Sequence, residues 1–273
     1  MGKLRILTSS PLATVQDEGR FGYRKYGIPQ SGAIDTLGMT IANQLVGNAA
    51  NNPAIEFALG GITLEVIEPT QLGVFGAGIR LNGQPSRENV VEAGQGDLVA
   101  LTAPRLVYAY LALGGQLTAD YIFDSFSTYL PAKFGGYQGR SLRKGDLLQS
   151  IGNGALHDVP SIGEPDHLIR FRKGPEWSQM DQPLHQKKYA IDPTSNRIGI
   201  RLFGEHLTSK IPEITSSAVI PGTIQLPPNG QPIVLMNDCQ TTGGYPRIGQ
   251  VVEEDLRKLG QTRIGSEITL ILE

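Results

Sequence analysis

Ile62-Thr63-Leu64-Glu65-Val66 alternates apolar and polar residues, so an extended chain carries Ile62, Leu64 and Val66 on one face. The same period of two returns in Glu267-Ile268-Thr269-Leu270-Ile271-Leu272. Both read as strands with one buried face. Arg105 to Leu113 and Ile233 to Met236 are apolar almost throughout, which predicts strands covered on both sides. Leu168-Ile169-Arg170-Phe171-Arg172 adds a further short strand. Between such runs stand 34 glycines, well above the ~7% usual for proteins. They follow no repeat and separate short apolar runs, so they mark turns and close backbone approaches rather than disorder. The pattern predicts a mainly β chain with a few short helices.

Helical spacing occurs twice. Ile34, Leu37, Ile41 and Leu45 predict an amphipathic helix over 34–46, with Ser31 or Asp35 as its cap and Gly47 as its end. Val252, Leu256 and Leu259 predict a second from Glu253 to Leu259, acidic in its first turn and stopped by Gly260. Between Gly152 and Asp166 the sequence collects Asn153, Gly154, His157, Pro160, Gly163 and Pro165 with little periodicity, the composition of a connector. This places domains at 1–155 and 166–273, each large enough for a compact β-barrel.

Composition removes several function classes. The 24 Lys and Arg against 26 Asp and Glu give a net charge of -2, and the basic residues stand singly, so no nucleic-acid footprint is expected. No stretch approaches ~18 uninterrupted apolar residues, and the N-terminus lacks a signal-peptide core, which predicts a cytoplasmic protein without a membrane span. Ile6 stands where N-myristoylation requires Ser or Thr. The single Cys239, at the end of an apolar strand, cannot form an internal disulfide and reads as a buried inert thiol.

The familiar chemistry motifs are missing. No G-x-x-x-x-G-K-[ST] loop occurs; Gly76-Ala77-Gly78 lacks its third glycine, since Leu81 stands there, and reads as a tight turn between strands. No nucleophile elbow is present. His157, His167, His185 and His206 show no metal-ligand spacing, so no metal is expected.

Four stretches hold more glycine, hydroxyl, amide and charge than packing demands. Thr14 to Tyr23, with Gln16, Asp17 and Arg20, is followed by Gly27 to Asp35, with Ser31, leading into the first helix. Amides at a helix N-terminus favour anions, although a capped helix behind a glycine-rich turn has the same composition. Pro131 to Arg140 sets Lys133 and Arg140 on a glycine-rich loop, fit for an anion or for a solvated turn. Ser195 to Leu202 alternates so that Arg197 and Arg201 share a face, and an arginine inside a barrel needs a partner. Gln240-Thr241-Thr242-Gly243-Gly244-Tyr245 follows the strand at Ile233 with hydroxyls and freed amides suited to an oxygen atom.

Together the stretches TVQDEGRFGYRKYGIPQSGAID (14–35), AIEFALGG (54–61), STYLPAKFGGYQGRSLRKGD (127–146), SNRIGIRLFG (195–204) and PGTIQLPPNGQPIVLMNDCQTTGGYPRIGQV (221–251) resemble one family along nearly the whole chain. It is known as the 5-oxoprolinase C-subunit, allophanate hydrolase subunit 2 or biotin-dependent carboxyltransferase-like (KipA-like) family. The resemblance implies two cyclophilin-like β-barrel domains and partnership with two other subunits, a KipI-like one and a LamB/YcsF-like one. It further implies ATP-driven opening of 5-oxo-L-proline to L-glutamate. A carboxyltransferase of urea carboxylase type and a non-catalytic antagonist of a kinase inhibitor are the other roles in the family. Met1, Met39, Met180 and Met236 all lack a neighbouring lysine, so covalent biotin is not expected on this chain. The expected site takes Asp17 to position or deprotonate and Lys133 and Arg140 to neutralise phosphate. Thr242 with the Gly243 and Gly244 amides would donate to oxygen, in a site shared with the KipI-like partner. Gln16, Arg20, Ser31, Arg197, Gln240, Thr241 and Tyr245 complete the expected substrate or phosphate contacts.

Overall fold

A computed structural model of the chain describes residues 1–86, 89–159 and 162–273, which form two compact units. The first holds Met1–Arg20 and Ser31–Ile162; the second holds Gly163–Glu273 together with Phe21–Gln30. Pro160 of the expected connector lies outside the described residues.

The alternation at Ile62 is realised in the strand Ile62–Glu68, where Ile62, Leu64 and Val66 are buried and Thr63 and Glu65 are not. Gly2–Thr8 and Leu98–Leu101 flank it, both antiparallel, in a seven-stranded sheet that also holds Gln116–Leu117, Leu147–Ile151, Ile79–Leu81 and Gln84–Pro85. A five-stranded sheet runs in the order Thr14–Gln16, Ala54–Phe57, Ala109–Leu113, Thr70–Phe75, Val90–Ala93. Leu4, Ile6, Leu64 and Val99 of the first sheet share one core with Val15, Ile55, Val74 and Leu111 of the second. That core is what the period-two faces build.

The other face of the five-stranded sheet is covered by α1 (Thr36–Leu45), whose Met39 and Ala42 pack with Tyr110 and Ala112. This explains why all of Ala109–Leu113 is buried, while Arg105–Tyr108, expected to continue that strand, lies outside it. Asp35 caps the helix by accepting from the Gly38 amide at 3.0 Å. Ile34, Ile41 and Leu45 are buried as predicted, but Leu37 is 39% exposed, and Met39 and Ala42 complete the buried face in its place.

In the second unit seven strands close into a barrel: Leu168–Lys173, Arg247–Val251, Thr223–Gln225, Ile233–Leu235, Gly199–Gly204, Lys188–Ile191 and Glu267–Leu272, the last returning parallel to the first. Its interior holds Ile169, Phe171, Tyr189, Leu202, Ile224, Val234, Ile248, Ile268 and Leu270, all buried. The chain is mainly β, as expected, and closure is found in this second unit, while the first unit encloses its core between two sheets. α2 (Glu253–Gly260) follows the extended N-cap residue Val252 and buries Asp255 and Leu259. Gly76 and Ala77 turn between Thr70–Phe75 and Ile79–Leu81, as predicted. No helix among the described residues is long and apolar enough to cross a membrane.

The predicted shared face of Arg197 and Arg201 is corrected. The strand starts at Gly199, so Arg197 lies in the preceding turn, and Arg201 points outward and is exposed.

Candidate functional site

The structure gathers the four polar stretches into two clusters, one in each unit. In the first unit the Gln16–Arg20 segment meets Ser125–Arg140. Thr14–Gln16 is an edge strand, and the Asp17 carboxylate beyond its end is only 7% exposed. It accepts from the Gly19 amide at 2.8 Å, the Ser125 hydroxyl at 2.7 Å, the Phe126 amide at 2.7 Å and the Ser127 hydroxyl. Four donors on one carboxylate make a junction that fixes the 125–127 segment. Gln16 is buried and donates to Thr14 Oγ1 at 3.0 Å and to the Thr128 carbonyl at 3.2 Å.

Arg20 is fully buried. It donates to the Ile122 carbonyl at 3.2 Å and to the Ser127 carbonyl, and its guanidinium lies 4.6 Å from the centre of the Phe134 ring. Gly135, at φ +71°, passes so close that a Cβ there would strike the Ser127 carbonyl and the Arg20 guanidinium. Lys133, at φ +55°, is exposed at the tip of the same loop, and no described residue pairs with its ammonium. Arg140 is instead committed to Asp146, Nη1 to Oδ2 at 2.7 Å and Nη2 to Oδ1 at 2.8 Å, over the Tyr137 ring. Burial pushes the Asp146 carboxyl up, but the Arg140 hydrogen bonds and the Arg143 amide outweigh it and hold it below the usual range. Ser31 takes φ +55° with its side chain fully buried, and its hydroxyl has no hydrogen-bond partner among the described residues.

In the second unit the Gln240–Tyr245 loop is braced along its backbone. Thr242–Gly243 pairs antiparallel with Ser217–Ala218 as a two-stranded ribbon. The Thr241 carbonyl accepts from the Val219 amide at 3.1 Å and the Gly244 carbonyl from the Ile214 amide at 2.8 Å. The Tyr245 carbonyl accepts from Gln225 Nε2 at 3.4 Å, and Gly243 leaves the room that the Gln225 amide fills. Two bidentate ion pairs bracket the loop. Arg197 holds Asp238 with Nε to Oδ2 at 2.9 Å, and Arg247 holds Glu176 with Nε to Oε2 at 3.0 Å and Nη2 to Oε1 at 2.9 Å. The Arg247 hydrogen bond is the main reason that the Glu176 carboxyl sits below its usual range.

The side chains of Gln240, Thr242 and Tyr245 are exposed, and none is taken up by a hydrogen bond to the described residues. The result is a rigid backbone presenting an amide, a hydroxyl and a phenol.

Arg24 stands outside the residues selected from the sequence, yet it belongs to this cluster. Its Nη2 donates to the Val219 carbonyl and to the Gln240 carbonyl at 2.9 Å, with Cys239 Sγ at 3.9 Å. Cys239 is fully buried, and burial pushes its thiol up against the opposing pull of the Arg24 charge. Arg24 fell between the two halves of the first stretch; two adjacent cations between tyrosines, Tyr23-Arg24-Lys25-Tyr26, are the signal that could have drawn it in.

The carboxyltransferase domain family, subdomains A and B, matches residues 26–271. The chain is 37% identical to the C subunit of 5-oxoprolinase from Escherichia coli (strain K12), over 98% of this chain and 90% of that protein. It is 38% identical to the C subunit of 5-oxoprolinase from Haemophilus influenzae, over 96% and 89%. The crystal structure of the Kluyveromyces lactis urea carboxylase superposes with a TM-score of 0.90 at 25% identity, covering 98% of this chain and 27% of that one. Sequence and fold therefore agree from one end of the match to the other, and the chain belongs to the carboxyltransferase domain family, subdomains A and B.

Proposed function

We propose that the chain works as one component of an ATP-driven 5-oxoprolinase that opens 5-oxo-L-proline to L-glutamate, with KipI-like and LamB/YcsF-like subunits as partners in the cytoplasm. The observation that carries this reading is the identity to two 5-oxoprolinase C subunits, which runs along nearly the whole of both chains.

The chemistry sets the requirements. A lactam carbon is a poor electrophile, and phosphoryl transfer from ATP to the lactam carbonyl oxygen activates it. One water then opens the C–N bond and a second removes the phosphate. The complex must hold a carboxylate, neutralise phosphate and steady an oxygen that gains charge. Lys133 supplies an unpaired exposed cation, and Gln240, Thr242 and Tyr245 supply donors on a braced loop. Arg140 and Arg197 act through their carboxylate partners by holding loops, and Asp17 holds the 125–127 segment. ATP is a substrate of the assembled complex in this proposal.

The test is production of glutamate and ADP from 5-oxo-L-proline and ATP by the three mixed subunits, each omitted in turn. Turnover should vanish without this chain. Within the active mixture, Lys133→Ala and Thr242→Val should each lower kcat/KM by about tenfold or more, the loss of one charged or hydrogen-bonding contact. Full turnover without the chain would overturn the proposal. Carboxyl transfer is the second reading, favoured by the urea carboxylase fold match, and would show as transfer from free carboxybiotin that requires this chain.

A further inference from the structure

Phe21–Gln30 leaves the first unit and returns to it, and in between belongs to the second. Its central turn, Arg24–Tyr26, is closed by Gly27 at φ +79°, whose amide donates to the Arg24 carbonyl at 2.9 Å. This fixes the backbone from which Arg24 reaches. Its Nη2 bridges the carbonyl of Val219, just after Ser217–Ala218, and that of Gln240, two residues before Thr242–Gly243. One nitrogen thus ties the two arms of the ribbon together beside their strand pairing. The Arg24 charge is met by carbonyl dipoles and by no carboxylate among the described residues, since neighbouring Asp238 is held by Arg197. Arg24 Nη1 is buried without a hydrogen-bond partner there. A partly buried cation with no carboxylate beside it gives its surroundings a positive potential that favours a bound anion.

We infer that Arg24 is the positioning residue of the Gln240–Tyr245 loop, fixing its exposed side chains while its charge draws an oxyanion, carboxylate or phosphate, to the loop. The assignment of that oxyanion to the proposed reaction rests on the 5-oxoprolinase reading. The positioning of the loop does not.

Two variants of the full chain separate the two parts. Arg24→Met keeps the length and removes the charge and the bridge; Arg24→Lys keeps the charge and loses the planar fork. Amide hydrogen exchange over residues 240–245 should quicken in both. In the assembled complex Arg24→Met should raise KM about tenfold with kcat changed less than threefold, and Arg24→Lys should recover most of that rise. The rise falls on 5-oxo-L-proline if the oxyanion is the substrate carboxylate, and on ATP if it is phosphate. An unchanged KM in Arg24→Met, or equal loss in both variants, would overturn the electrostatic part. Unchanged exchange would overturn the positioning part. Should the unaltered chain prove dispensable for turnover, the functional proposal fails by itself, and exchange still decides the positioning. If Arg24→Met does not fold, Arg24→Lys carries the test: exchange as slow as in the parent overturns the positioning, and a KM raised tenfold despite the retained charge overturns the electrostatic part.

Discussion

The Asp17 carboxylate has four protein donors around it, two of them hydroxyls more than a hundred residues away in sequence. A general base needs a lone pair open to its substrate, and here three donors crowd Oδ1, a fourth meets Oδ2, and the residue is only 7% exposed. Asp17→Asn keeps the shape but turns an NH2 group toward donors, which costs about 1–3 kcal/mol for a buried group left facing the wrong partner. Denaturant unfolding followed by circular dichroism should show that loss, while turnover of the assembled complex well below the melting range stays within about tenfold of normal. A fall beyond about a thousandfold with full folding would restore Asp17 as a proton acceptor. Sequence alone marked Asp17 as a charged residue in a glycine-rich polar stretch, hence as a candidate. The facts that decide its role, Ser125 and Ser127, carry no local signal that pairs them with it. Lys133 and Arg140 show the same limit: on one loop, the first is exposed and unpaired and the second is tied to Asp146.

Elements were legible where burial follows a period. Ile62–Glu68 and Glu267–Leu272 came directly from alternation, and the bounds of α2 from its apolar spacing and acidic first turn. Spacing could not show that α2 buries a charge. Asp255 is fully buried and accepts from the Arg170 amide and Nε, each at 2.8 Å, from Arg170 Nη2 at 3.0 Å and from Lys258. Burial pushes its carboxyl up, but those hydrogen bonds and the Lys258 charge prevail and lower it to about 2. The folded value lies below the unfolded one of about 3.9, so the stabilisation is fully present above pH ~4 and is lost as pH falls toward 2. Its size is on the order of 1–2 kcal/mol, since Arg170 is partly exposed and solvent screens the pair. Asp255→Asn should therefore be least stable relative to the parent near neutrality, and the two stabilities should converge by pH ~2. Chemical denaturation at several pH values measures this. A difference that stays constant across that range would remove Asp255 as the titrating group.

Across the whole molecule, each unit holds a core of its own: the two facing sheets of the first and the closed barrel of the second. The chain's single tryptophan, Trp177, lies in the second unit, 5.8 Å from the ring of Phe171, so its fluorescence reports that unit, whereas far-ultraviolet circular dichroism reports both. Leu111 is fully buried in the core of the first unit, and Leu111→Ala removes methyl groups from between two sheets at a cost of about 2–5 kcal/mol. With separate cores, that loss belongs to the first unit. The circular dichroism transition of Leu111→Ala should broaden or split toward lower denaturant, while the Trp177 fluorescence midpoint stays where it is in the parent. Ile268→Ala, inside the barrel, should do the reverse and move the fluorescence midpoint. If both probes shift together in both variants, the two units unfold as one cooperative body, and the chain crossings at either end of Phe21–Gln30 and before Gly163 carry stability between them.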